Sequence, residues 1–307
     1  MKVIVTGGKG FIGSHMVEFL LNMQLHQHYK LDFLQTHETI DVTVIDDESA
    51  NENLQFYEFP GATYVKANVI DPQTHELYKD VDYVFHFAAR SRIQPSLENP
   101  YDTFMNNTMG TQSVLQASRN HNVRKVIYSS SSSVYAQSSP PHVESMSTTC
   151  LNPYSLSKHQ GEQLCNLYQD LWGLKTVVLR YFNVYGPREP LKGQYAPVVG
   201  IFKRQRDDGE KLTIVGDGEQ RRDFTYVKDV ANANWLAALG TVDGGVYNIG
   251  TGKSYSINEV AAMVGGDKVF IASRPAEARE TLADITRAKA VLNWSPRFSL
   301  SETINTY

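Results

Sequence analysis

Met1-Lys-Val-Ile-Val-Thr-Gly-Gly-Lys-Gly-Phe-Ile-Gly13 decides the reading of this 307-residue chain. Lys2 to Thr6 make a short apolar run of strand character, and Ile12, Met16, Phe19 and Leu20 recur at the i, i+4, i+7, i+8 spacing of a helix. Between the two stand Gly7, Gly10 and Gly13. A glycine at the first position permits a tight turn. At the second it lets the backbone approach a pyrophosphate at the helix N-terminus, and at the third it lets the helix lie close on its strand. The spacing, G-x-x-G-x-x-G, departs from the usual G-x-G-x-x-G, and a purely structural strand-to-helix turn is the competing reading. The strand-then-helix context favours a dinucleotide-binding turn.

Asp41-Val-Thr-Val-Ile-Asp46 ends a second apolar run on an acid, the residue type that hydrogen-bonds the adenosine ribose. Asp46 lies 33 residues past Gly13, more than the usual interval of about 20, so an insertion over residues 22–40 is required. It carries His26, His28 and His37, but no cysteine or carboxylate completes a recognisable ligand pattern with them, and a solvated loop is predicted there, not a metal site. An acid at the ribose repels a 2′-phosphate, which favours NAD over NADP.

Strand-like runs recur at 62–66, 81–88, 124–130, 175–182 and 245–249, with helical patterns between several of them. This alternation predicts an α/β fold, a Rossmann-type doubly wound parallel sheet. After Phe182 the pattern breaks at Gly186-Pro187, Gly216-Asp-Gly218 and Gly250-Thr-Gly252, and helix signals resume at 257–264 and 285–292. Residues 1–180 and 223–251 are accordingly read as an NAD-binding domain, and 181–222 and 252–307 as a smaller C-terminal substrate-binding region. With 41% apolar and 20% charged residues the composition is globular, and a net charge of −4 gives no general reason to hold nucleic acid or an anionic membrane. No apolar run of about 18 residues exists to span a bilayer. The two cysteines, Cys150 and Cys165, are too few to frame a fold of this size, and the chain opens on a strand. A reducing, cytoplasmic setting is expected.

The serine run Ser129 to Ser133 follows Lys125-Val-Ile-Tyr128 and precedes Val134-Tyr135, at the carboxyl end of a predicted parallel strand, where ligands bind in such sheets. Tyr154 and Lys158 fall one turn apart on a predicted helix whose packing face reads as Leu164, Leu167, Tyr168 and Leu171. A phenol with a pKa near 10 is a poor base at neutral pH; lowering it by about 3 units takes roughly 4 kcal/mol of preferential stabilisation of the phenolate. Lys158 and the cationic nicotinamide of oxidised NAD are the obvious sources of positive charge, while a serine hydroxyl positions a substrate alcohol. The chemistry this points to is oxidation of a secondary alcohol, with the hydride going to the cofactor.

At these residues the chain resembles the extended short-chain dehydrogenase/reductase family, within it the nucleotide-sugar epimerase/dehydratase group typified by UDP-galactose (UDP-glucose) 4-epimerase. The likeness is carried by Thr6-Gly-Gly-Lys-Gly-Phe-Ile-Gly13, His86-Phe-Ala-Ala89, Asn107-Thr-Met-Gly-Thr111, Ser129 to Tyr135, Tyr154 with Lys158, and Arg180-Tyr-Phe-Asn183. It continues through Gly216-Asp-Gly-Glu-Gln-Arg-Arg-Asp-Phe224, Asn248-Ile-Gly-Thr-Gly252 and Arg274-Pro-Ala-Glu-Ala-Arg279. The resemblance implies Ser131, Tyr154 and Lys158 as the catalytic group. It implies a cofactor wall of Phe11, Ile12, Asn68, Val69, Phe87, Ala88, Ala89, Asn107 and Tyr181 beside the glycines and Asp46. It also implies Asn183, Arg222 and Arg279 on a nucleotide diphosphate, Glu277 near the nucleotide ribose, and Ser91, Ser132 and Thr281 along the substrate; guanidinium forks suit a diphosphate. Two departures are local: Asn68 stands where the family usually has an aspartate, and Ser91 where some members have a lysine.

The residues after Ser131 separate the group's reactions. Dehydratases, and decarboxylases likewise, resemble this chain but carry a glutamate, or an Asp-Glu pair, there as an extra acid and base; here the places hold Ser132 and Ser133. The simplest cycle left is oxidation at C4 of a UDP-hexose, rotation of the bound 4-keto sugar and hydride return to its opposite face. A decarboxylase, 4,6-dehydratase or reductase remains the alternative, and a regulator that only senses NAD would be expected to have lost Tyr154 or Lys158. The helices read at 101–117 and 154–171 resemble the pair that forms a homodimer interface in the family. Thr281, small where a tyrosine is associated with exclusion of N-acetylated hexoses, leaves room for an acetamido group.

Overall fold

The sheet grows from short apolar runs that are buried along most of their length at its centre, the pattern of strands covered on both faces, and less so in the two toward one edge. In the computed structural model, which describes residues 1–22, 40–49, 56–136, 138–193, 196–273 and 278–307, these are β1 (Lys2–Thr6), β2 (Asp41–Asp46), β3 (Ala62–Lys66), β4 (Tyr83–His86), β5 (Lys125–Ser131) and β6 (Thr176–Tyr181). Short strands follow: β7 (Val184–Tyr185), β8 (Leu212–Val215), β9 (Arg221–Asp223), β10 (Thr225–Tyr226), β11 (Val246–Ile249), β12 (Ser254–Ser256) and β13 (Lys268–Ile271). Seven strands form one sheet in the order β11-β6-β5-β4-β1-β2-β3, with every pairing parallel. Successive strands run one way from β1 through β2 to β3 and the other way from β4 through β6. The order therefore reverses between β1 and β4, and a crevice opens there at the carboxyl ends. This is the Rossmann-type architecture expected.

Helices cover both faces. On one, Phe11–Leu21 and Val227–Leu239 bury Met16, Phe19, Leu20 and Trp235 against β1, β2 and β6. On the other, Gly110–Asn120 and Pro153–Trp172 bury Val114, Leu115, Cys165 and Tyr168 against β4 and β5. A third core gathers Phe202, Ile214, Tyr226, Val260 and Leu300 from the later part of the chain. Asp223 stitches that part to the sheet: its carboxylate accepts the N–H groups of Thr251 at 2.8 Å, Gly252 at 3.0 Å and Ala283 at 3.1 Å.

Two expected features come out differently. Leu167 and Leu171 do not face the core: they are 46% and 61% exposed, and the packed face of their helix is Ser157, Lys158, Gly161, Glu162, Cys165 and Tyr168. Small and polar residues line it because the helix lies hard on β5, so closely that a Cβ at Gly161 would meet the Tyr128 hydroxyl at 2.1 Å. The helix read at 101–117 is also interrupted: Pro100–Phe104 and Gly110–Asn120 are α-helical, and Met105–Met109 between them is a π-turn. The insertion read at 22–40, with its three histidines, lies outside the described residues apart from its two ends. Among the described residues no helix is long and apolar enough to cross a membrane.

Candidate active site

The glycine turn is built by exclusion of side chains. Gly7 sits at φ 68°, and its N–H donates to the Ile45 carbonyl at 2.8 Å. A Cβ on Gly7 would lie 2.7 Å from the Ala88 nitrogen, and one on Gly13 would lie 2.1 Å from the Gly7 oxygen. Gly10, the N-cap of helix Phe11–Leu21, is less crowded, with the Gly7 oxygen 3.4 Å from an added Cβ. At the end of β2 the Asp46 carboxylate accepts the N–H groups of Lys9 at 2.9 Å and Glu48 at 2.8 Å. Burial raises its pKa against the pull of those donors. Asn68 is held beside it, donating to Asp47 at 3.0 Å and accepting from the Ile70 N–H at 3.0 Å.

A cavity of about 490 Å³ runs from this turn across the carboxyl end of the sheet. Gly7, Gly10, Phe11, Ile12, Gly13, Asp46, Asn68, Val69, Phe87, Ala88 and Ala89 line its first half. Ser91, Ser131, Ser132, Tyr154, Lys158, Tyr181, Asn183, Arg222 and Thr281 line the rest. Of the remaining residues singled out in the sequence, Asn107 lies behind the wall. Its amide accepts from the Arg90 N–H at 2.6 Å and donates to the Arg90 carbonyl at 3.0 Å and to Ser157 at 2.9 Å, so the π-turn braces the loop after β4 against the Tyr154 helix. Arg279 is off the cavity and exposed, with both terminal nitrogens 2.9 Å from the Asp217 carboxylate. Glu277 lies outside the described residues.

At the centre, Ser131 ends β5 and its hydroxyl accepts the Ser133 N–H at 3.2 Å, which fixes the turn that follows. Tyr154 stands in the first turn of helix Pro153–Trp172, where a reciprocal capping pair of Asn152 and Ser155 and a proline at the first position start the helix. Burial raises the Tyr154 pKa, opposed by the hydrogen bond with Ser131 and by the charge of Arg92. The lowered phenol expected from Lys158 is therefore not a property of the chain alone. Lys158 is buried and donates to the Ser129 carbonyl at 2.8 Å. Burial pushes its pKa down to about 8, with Glu162 opposing. On the far wall, Asn183 donates to the Asp223 carbonyl at 2.8 Å and to the Thr281 hydroxyl at 3.0 Å, and Arg222 donates to the carbonyls of Arg221 at 2.9 Å and Arg279 at 3.2 Å. Sequence reasoning missed Arg92, for which no motif signals, and Glu162, which continues the four-residue spacing of Tyr154 and Lys158.

Residues 3–250 match the NAD dependent epimerase/dehydratase family. The chain belongs to this family. It is 35% identical to the putative UDP-glucose 4-epimerase of Methanocaldococcus jannaschii, over 98% of this chain and 95% of the relative. It is 34% identical to the UDP-glucuronate 4-epimerase of Thermodesulfobacterium geofontis, over 97% and 92%. Among solved structures it is similar to the UDP-N-acetylglucosamine 4-epimerase from Methanobrevibacter ruminantium M1 in complex with UDP-N-acetylmuramic acid. The TM-score is 0.88 at 34% identity, covering 99% of this chain and 95% of that one. As a member of the epimerase/dehydratase family the chain is an enzyme whose cofactor is NAD. The turn fits that group: side chains are shut out at Gly7 and Gly13, where backbone closes on backbone, and a carboxylate oriented by two N–H donors waits at the end of β2.

Proposed function

We propose that this enzyme interconverts the C4 epimers of a UDP-hexose, UDP-glucose with UDP-galactose and also their N-acetylated counterparts. The observation that carries the reading is that Ser131, Tyr154 and Lys158 meet on one cavity wall while Ser132 and Ser133, not carboxylates, follow Ser131. Held by the glycine turn and Asp46, NAD would supply a reversible hydride acceptor for C4 and a positive charge near the phenol. Tyr154 takes the C4 hydroxyl proton on its oxygen as the alcohol becomes a ketone, and gives it back when the ketone is reduced from the other face. Ser131 aligns that hydroxyl, and Lys158 stabilises the phenolate. The glycine turn and Asp46 hold the dinucleotide, in residues 1–180 and 223–251; Asn183 and Arg222 hold the diphosphate end of the sugar nucleotide, in residues 181–222 and 252–307. Thr281, small and already bonded to Asn183, leaves space for an acetamido group.

We assign the working unit to a two-fold homodimer. Tyr101 on helix Pro100–Phe104, and Leu167 and Leu171 one turn apart on helix Pro153–Trp172, are 75%, 46% and 61% exposed, apolar side chains of the kind a second copy covers. Light scattering at micromolar concentration should report twice the chain mass, and a monomer would contradict it. The reaction is tested by incubating the purified enzyme with UDP, TDP and GDP sugars and following the C4 and C5 protons by NMR. An intact carbon skeleton with inverted C4 is expected. Loss of carbon dioxide or of water identifies a decarboxylase or dehydratase instead.

A further inference from the structure

Tyr154 and Lys158 have a third partner on the same helix stripe, one turn further on. Glu162 is 2% exposed and lies inside a closed set of donors. Arg180, on β6 and itself 4% exposed, reaches it with two nitrogens, Nε at 2.8 Å and Nη2 at 2.6 Å. The Ser130 hydroxyl donates to the same carboxylate, and Nδ1 of His159 lies 3.5 Å from it. Arg180 in turn stands 4.7 Å above the Tyr135 ring, whose hydroxyl donates to Asn248 at 2.7 Å, so the carboxylate is anchored across β5, β6 and β11.

Two of these contacts bear on the chemistry. Ser130 immediately precedes Ser131, so the hydrogen bond to Glu162 sets the strand end that presents the Ser131 hydroxyl. The groups around Lys158 are the Ser129 carbonyl it donates to, the Tyr128 ring 5.3 Å away, His86 on β4, and Tyr154 and Glu162 on its own helix. His86 is kept neutral by burial, with its ring nitrogens held by Thr6 at 2.7 Å and Thr111 at 3.0 Å. Glu162 is thus the anion that offsets the removal of Lys158 from water, and burial would otherwise favour the uncharged amine.

We propose that Glu162 is a positioning residue for the oxidation step: through Ser130 it sets the strand end carrying Ser131, and its negative charge keeps Lys158 cationic beside Tyr154. The inference rests on Tyr154 and Lys158 acting as proposed above. A purely structural Glu162 would do no more than neutralise Arg180.

The experiment uses Glu162→Gln, which keeps the shape and one acceptor, and Glu162→Gln with Arg180→Met, which removes the pair without leaving a buried cation unpaired. Two readouts are taken on each: the pH profile of kcat/KM, and the titration of the Lys158 ammonium by NMR with lysine labelled at the side-chain nitrogen, in enzyme without substrate. In both variants the alkaline limb and the Lys158 titration should move to lower pH by about half a unit or more, roughly a threefold loss of proton affinity. Glu162→Asp, which keeps the charge, should restore most of the limb. If the single variant does not fold, the double variant carries the test. Unmoved limbs and an unmoved Lys158 titration in folded variants would overturn the proposal. Failure of the underlying reading is separately visible, because Tyr154→Phe would then keep its turnover.

Discussion

The two walls of the cavity are made in different ways. The wall proposed for the cofactor is shaped by backbone: Gly7 and Gly13 leave no room for a side chain, and the main-chain N–H groups of Lys9 and Glu48 aim the Asp46 carboxylate. The wall proposed for the substrate brings together Asn183, Arg222 and Thr281, separated along the chain and joined by side-chain and carbonyl hydrogen bonds. A backbone-shaped site tolerates almost nothing and serves one ligand. A side-chain wall can change its occupant by one substitution, and the relatives named above carry different sugars in their names.

The largest effect should come from the backbone wall. Gly13→Ala places a methyl group on the Gly7 carbonyl, and calorimetry should find no NAD binding at concentrations that saturate the unaltered enzyme; normal affinity would mean that the turn is not the cofactor cradle. Next comes the reacting centre, shared by both walls. Tyr154→Phe should reduce turnover by at least about 100-fold, the low end of general-base contributions, with NAD and sugar-nucleotide affinity nearly unchanged in equilibrium titrations.

On the side-chain wall the effect should be selective. Thr281→Tyr fills space beside Asn183, and overpacking of about 1 to 3 kcal/mol should depress activity on UDP-N-acetylglucosamine roughly tenfold to 200-fold relative to UDP-glucose. Equal losses on both sugars, or no turnover of the acetylated one by the unaltered enzyme, would show that the wall does not select there.

The smallest effect concerns the pin between the two parts. Asp229, on helix Val227–Leu239, accepts the N–H groups of Arg297 at 3.0 Å and Phe298 at 3.1 Å. Burial raises its pKa to about 7, against about 3.9 in an unfolded chain. Between these values the folded chain holds the extra proton, so this group's contribution to stability declines as pH rises from about 4 to 7 and stays low above. Asp229→Asn should therefore compare more favourably with the unaltered protein at pH 8 than at pH 5 in melting temperature. The opposite trend would show that the two N–H donors outweigh burial and hold the carboxylate charged in the folded chain.

Legibility followed the same division. β1, β2 and β3 have the bounds read from their apolar runs, because each is a short run set off by glycine or an acid. The first-half residues read as cofactor-binding all line the cavity except Asn107. Asn107 sits in the π-turn, which interrupts the α-helical period, and its amide bonds the Arg90 backbone instead. The leucine stripe of helix Pro153–Trp172 was visible, but periodicity does not tell a core face from an exposed apolar one, and Leu167 and Leu171 look outward. Arg279 illustrates the limit on the substrate side: its charge was legible, yet where a long side chain rests depends on which carboxylate is near, and here that is Asp217.

The central claim is that a hydride leaves C4 and returns to C4 of the same sugar within one site. The direct measurement is NMR of the products formed from UDP-glucose carrying deuterium at C4. Transient oxidation at that carbon requires UDP-galactose with the deuterium still at C4, without exchange into or from water. Deuterium lost to solvent, or epimerised product formed with no break of the C4 carbon–deuterium bond and hence no isotope effect on single-turnover rates, would contradict the account.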